Sequence, residues 1–123
     1  MPLDHRWCAF AENDLETAEI LLREAIWNQV CFHAQQSVEK YLKASLSPES
    51  RPRTHKIAEL LTRTDLSLTV NLKQALRRLD RFYIPSRYPD ALPGTLEEGM
   101  PTKEDAESAI QSARDLKQAL HQV

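Results

Sequence analysis

Apolar side chains return every three or four residues along the start of the chain. Trp7, Ala11, Leu15, Ala18, Leu22 and Ala25 form one such series. That spacing is helical and predicts a helix from about Arg6 to Arg23. Glu12, Glu16 and Glu19 share another face, as expected of a solvated side. A short hinge at Ala25 to Asn28 leads into a second helix reaching about Leu46. Its apolar side is Trp27, Cys31, Ala34, Val38, Tyr41 and Leu42. The stretches "SPES" and "RPR" end it. Thr54 stands as the expected N-cap of a short third helix, "HKIAELLTR", which buries Ile57, Leu60 and Leu61. A fourth helix is expected from about Leu68 to Tyr83, on Leu72, Leu76, Leu79 and Tyr83, flanked by Ala75 and Phe82. Pro85 stops it. Thr102, followed by Asp105 at the capping-box position, opens the last helix. Ala106, Ile110, Ala113 and Leu120 supply its apolar side.

Between the last two helices lies "SRYPDALPGTLEEGMP", residues 86–101, with three prolines and both glycines of the chain. It reads as a long irregular connection, of the kind that is functional or mobile. No segment alternates like a strand, and no internal repeat occurs. The pattern predicts an all-α fold: an antiparallel bundle of four long helices and one short one, a single domain over residues 1–123. A bundle this small tends to leave one apolar helix face uncovered, and a symmetric homodimer is the simplest way to bury it.

Composition agrees with this reading and narrows it. The 123 residues are 41% apolar and 28% charged, which suits one folded core and not a disordered chain. Two glycines in all leave few of the positive-φ turns that sheets need. The net charge of −2 gives no global attraction to nucleic acid, so such binding must come from a local basic patch. Cys8 and Cys31 fall on apolar-facing helix positions and read as reduced, buried thiols. No apolar run has the length of a membrane span, and the N-terminal stretch carries charges where a signal peptide needs its apolar segment. The expected location is cytoplasmic.

Four groups of residues are candidates for chemistry. In "FHAQQSVEKYLKA", Gln36, Lys40 and Lys43 fall within about a quarter-turn of His33 on one helix face. Two ammonium groups with amide and imidazole donors suit phosphate, although an ordinary solvated face has the same make-up. In "RPRTHK", His55 is surrounded by Arg51, Arg53 and Lys56 at a helix N-terminus, which itself attracts anions. In "RYPD", Arg87 either pairs with Asp90 across a proline turn beside Tyr88, or presents a planar fork to phosphate. In "RDLKQALH", Arg114 and His121 lie about two turns apart on one face. An arginine and a histidine can cleave RNA without metal, the histidine moving a proton and the arginine steadying the phosphorane. No spacing in the chain forms a metal site or a glycine-rich phosphate loop, and no cofactor is expected.

The order "AENDLETAEILL", "FHAQQSVEKYLKA", "TH" opening a short helix and "RYPD" after the next one resembles the HEPN family, from about Trp7 to the last helix. Gln36, Lys40, Lys43, His55, Arg87, Tyr88 and Asp90 match positions typical of a subgroup marked by "RYPD". The resemblance implies a helical bundle paired as a homodimer, with a cleft between the subunits. It implies binding of a nucleotide or RNA phosphate, and a minimal nucleotidyltransferase as the partner in a toxin–antitoxin-like pair. Many members are ribonucleases with an arginine, four to six residues, then a histidine near the cleft. Here "RYPDALPGTLEEG" contains no histidine, so the leading expectation is a binding module. A metal-independent endoribonuclease toxin using Arg114 and His121, or Arg87 with His55, is the alternative. A purely structural interaction subunit is the third.

Overall fold

A computed structural model of the chain describes residues 3–83 and 99–121. Five helices follow one another: α1 His5–Arg23, α2 Trp27–Ala44, α3 Ile57–Leu61, α4 Val70–Arg78 and α5 Lys103–His121. Short 3-10 turns at Pro48–Ser50 and Leu79–Phe82 complete the helical structure of the described residues. No strand occurs among the described residues. The all-α bundle read from the sequence is therefore the architecture. None of the helices described is long and apolar enough to cross a membrane.

The central element is α2, which packs against α1, α3, α5 and the Leu79–Phe82 turn. Its expected apolar side, Cys31, Ala34, Val38, Tyr41 and Leu42, is fully buried, while Trp27 is half-buried. Ile57 and Leu60 of α3, Leu76 of α4, Phe82, and Ile110 and Leu116 of α5 close the core around it. Each such side chain contributes about 1.5–3 kcal/mol by leaving water. A polar bond crosses this packing where the buried Ser37 hydroxyl donates to the Ala11 carbonyl at 2.8 Å. Cys8 and Cys31 are free thiols, Cys31 buried and Cys8 half-buried. Burial pushes the Cys31 thiol up to about 12, so it stays protonated and unreactive at neutral pH.

The helix ends follow capping chemistry, with two departures from the sequence expectation. Asp4 caps α1, its carboxylate accepting from the Arg6 and Trp7 amides. At the other end Ala25 takes φ 59°. The Ile26 amide donates to the Leu21 carbonyl and the Ala25 amide to the Leu22 carbonyl, a Schellman closure normally served by glycine. Thr102 and Asp105 form the expected reciprocal box, at 2.9 and 3.2 Å. The third helix, however, begins at Ile57 and not beside Thr54. The Thr54 hydroxyl accepts from the Lys56 amide in the turn before it. The cap is the Asp80 carboxylate, which accepts from the Ile57 and Ala58 amides at 2.7 and 2.9 Å. The fourth helix is shorter than expected, starting at Val70 with Thr69 as its cap and tightening to 3-10 after Arg78.

Candidate functional site

The polar stripe of α2 is not one surface. Its side chains part into two clusters, each organised by a carboxylate. His33 and Lys40, seven residues apart and so on one face, converge on Asp14 of α1. The His33 Nδ1 lies 3.2 Å from Asp14 Oδ1, and the Lys40 ammonium donates to Oδ2. Burial alone pushes the Asp14 carboxyl up, but the hydrogen bonds and charges of His33 and Lys40 outweigh it and hold the group below its ordinary value. Asp14 carried a signal in the sequence: it falls on the Ala11–Leu15–Ala18 side of α1, where a charge needs a partner. Gln36 donates to the Gln35 side chain at 2.7 Å.

The second cluster joins α2 to the segment entering α3. Lys43 donates to Glu39 at 2.9 Å. The i,i+4 spacing of this pair suits a helix surface, but here the two side chains are only 8% and 3% exposed. Lys43 also lies over the Trp7 ring, 5.4 Å from its centre, and Arg51 approaches the same ring at 5.5 Å. Glu39 serves His55 too, with the imidazole Nδ1 at 3.2 and 3.3 Å from its two oxygens. The buried Gln35 amide donates to the His55 carbonyl at 2.8 Å, which fixes the backbone. The Tyr83 ring stacks on the imidazole at 5.0 Å and 14°. A carboxylate at Nδ1 makes that nitrogen the donor and leaves Nε2 as the acceptor. The His55 side chain is 55% exposed. A buried ion pair thus presents an oriented, accessible imidazole able to bind an anion when protonated or to take a proton when neutral.

The basic residues around "RPRTHK" do different work from one another. Arg51 donates to the Lys43 and Leu46 carbonyls at 2.8 and 2.6 Å and pairs with Asp4 at 3.4 Å. It is a latch on the C-terminal end of α2. Arg53 and Lys56 are exposed. The anion that a helix N-terminus attracts is, at α3, the protein's own Asp80. Arg87, Tyr88 and Asp90 lie outside the described residues, and Tyr83 is the last residue described before them.

Arg114 and His121 do reach a common groove, together with Leu15, Glu19, Lys117 and Gln118. Arg114 donates to Glu19 at 2.8 Å, and the His121 Nδ1 donates to the Lys117 carbonyl at 2.7 Å. None of these residues belongs to the Glu39–His55 cluster. Among the described residues no three histidines, cysteines or carboxylates gather as metal ligands.

Sequence comparisons match residues 5–123 to the family model described as the HEPN domain. A Methanocaldococcus jannaschii protein named "Putative toxin MJ1304" is 29% identical, with 86% of this chain and 78% of that one covered. The crystal structure of TT1696 from Thermus thermophilus superposes with a TM-score of 0.77 at 30% identity, covering 96% of this chain and 95% of that one. The structure of ST0689, an archaeal HEPN homologue, gives 0.74 at 34% identity, covering 99% and 98%.

Proposed function

The chain belongs to the HEPN family, and we propose that it works as a toxin-like binding module for RNA or nucleotide phosphate. In this reading residues 1–123 form one domain, paired as a cytoplasmic homodimer and countered by a minimal nucleotidyltransferase partner. The toxin-named relative supports the class. The observation that carries the site is the half-exposed His55 imidazole, held by Glu39 and by Tyr83, the latter four residues before "RYPD". The phosphate is assigned to His55 and Arg87, with the exposed Arg53 and Lys56 adding positive potential. Tyr88 and Asp90 shape the cleft. Lys40 and Lys43 already face Asp14 and Glu39, so Lys43 through Glu39, and Gln36 through Gln35, support the segment that carries His55, while Lys40 stays on the α1 side. The test is RNA binding by the purified chain across a salt series. Affinity should fall steeply with salt, as phosphate contacts require, and His55→Ala and Arg87→Ala should each weaken it about tenfold. A flat salt response, or binding indifferent to both substitutions, sinks the assignment.

One observation favours a second reading as a metal-independent endoribonuclease. The Glu39–His55 contact orients an imidazole as a general base is oriented. His55 Nε2 would take the 2′-hydroxyl proton as that oxygen attacks phosphorus, Arg87 would steady the phosphorane charge, and the 5′ oxygen would leave with a proton from water. Cleavage of RNA in EDTA, lost in His55→Ala and kept in His121→Ala, establishes that chemistry. Loss in His121→Ala instead moves it to the Arg114–His121 pair, and intact RNA throughout leaves binding alone.

A further inference from the structure

The groove between α1 and α5 carries an independent argument. It has a volume of about 420 Å³, within the range of small-molecule sites. Leu15, 4% exposed, gives it an apolar floor. Arg114, Lys117 and His121 line it from one helix, spaced by three and four residues, so they share one face. Glu19 is the acidic residue in the lining, and it is already bonded to Arg114 through a single guanidinium nitrogen. The remaining guanidinium N–H groups exceed what one carboxylate oxygen accepts. Lys117 is half-buried and has no ion-pair partner among the described residues. A lysine so placed packs its stem on the groove and leaves the ammonium free to meet an anion at the rim. His121 has its Nδ1 donating to the Lys117 carbonyl, which leaves Nε2 as the outward nitrogen, a donor to phosphate when the ring is protonated.

We propose that this groove binds a small ligand that carries a phosphate group on an apolar body. The phosphate sits among Lys117, His121 and the outer nitrogens of Arg114. The body lies on Leu15, with the Gln118 amide beside it. This site is separate from the RNA or nucleotide site at His55 and stands whether or not that reading holds. Three tetrahedral oxygens can accept from the guanidinium, the ammonium and the protonated imidazole along one helix face better than a flat carboxylate can.

The experiment is a titration of the full chain with phenyl phosphate, phenol and inorganic phosphate, followed by amide shifts in nitrogen-15 spectra. Phenyl phosphate should saturate and move amides of α5 around Lys117. Its affinity should drop at least about tenfold in Lys117→Gln and in His121→Gln. Both replacements keep size and polarity, and unchanged spectra elsewhere report that the bundle is intact. His55→Ala should leave this binding as it was. Phenyl phosphate binding tighter than inorganic phosphate supports a phosphate ester as the ligand, whereas equal binding overturns the role given to the apolar body. The proposal fails if phenol binds equally well, if neither phosphate saturates, or if His55→Ala and not Lys117→Gln abolishes binding. An RNA oligomer that shifts the α5 amides when no small phosphate does also overturns it.

Discussion

At the scale of single residues, Asp14 and Ala25 make the sharpest predictions. The Asp14 carboxyl titrates below its ordinary value of 3.8 in the folded chain. A depressed folded value means that its stabilisation is complete above the unfolded value and is lost as pH falls through the folded one. Asp14→Asn should therefore cost about 2–3 kcal/mol near neutral pH, since Lys40 keeps its charge without its counter-ion. The gap between the two proteins should narrow below about pH 4. Urea melts of both across that range measure it. Ala25 sits at φ 59°, where a Cβ is strained and glycine is not. Ala25→Gly should stabilise the chain by about 1 kcal/mol, read as a raised melting temperature. The hinge at Ala25 was legible in the sequence, but its strain was not, because the glycine that normally marks a left-handed helix end is absent there.

Among the elements, α3 shows how a helix can owe its start to a distant part of the chain. Five residues cannot offset the nucleation cost alone. Three apolar side chains in the core and the Asp80 carboxylate on two of its amides hold it. Asp80→Ala should cost about 1–2 kcal/mol and speed hydrogen exchange at Ile57 and Ala58. Thr54→Ala should cost less, because Thr54 closes only the preceding turn. The opposite order of the two effects, by denaturation, would restore Thr54 as the cap. The Thr102–Asp105 box was legible because both its partners lie within one turn of the same helix. Asp80 lies 23 residues from Ile57, and no local pattern joins them.

For the whole molecule, the question is how a buried ion pair and an accessible imidazole share one carboxylate of α2. Glu39 joins the two, holding buried Lys43 on one side and accessible His55 on the other. Glu39→Ala should cost about 3–5 kcal/mol, since it strands the Lys43 charge. Replacing both residues, Glu39→Leu with Lys43→Met, removes the charge as well and should recover most of that loss. The double variant still lacks the carboxylate that orients His55. It should therefore fold like the parent yet bind RNA like His55→Ala. Urea melts and RNA titration, run on the same samples, separate the two roles. A double variant that binds RNA normally would reduce Glu39 to packing.

By itself the sequence determined the helical bundle, the buried side of α2, the capping box of α5 and the shared face of Arg114 and His121. Each rests on periodicity or on partners within two helical turns, and such geometry is fixed by the helix alone. It also placed Glu39 and Lys43 within reach of each other. Only the tertiary structure decided that this pair is buried, and that His33 and Lys40 answer to Asp14 across the α1–α2 seam. The same holds for Arg51 on the carbonyls ending α2 and Asp80 on the amides opening α3. Those contacts join separate elements, so they depend on how the helices cross. Polar side chains on one helix face read alike in sequence, and tertiary packing is what sends Lys40 to Asp14 of α1 and buries Lys43 with Glu39.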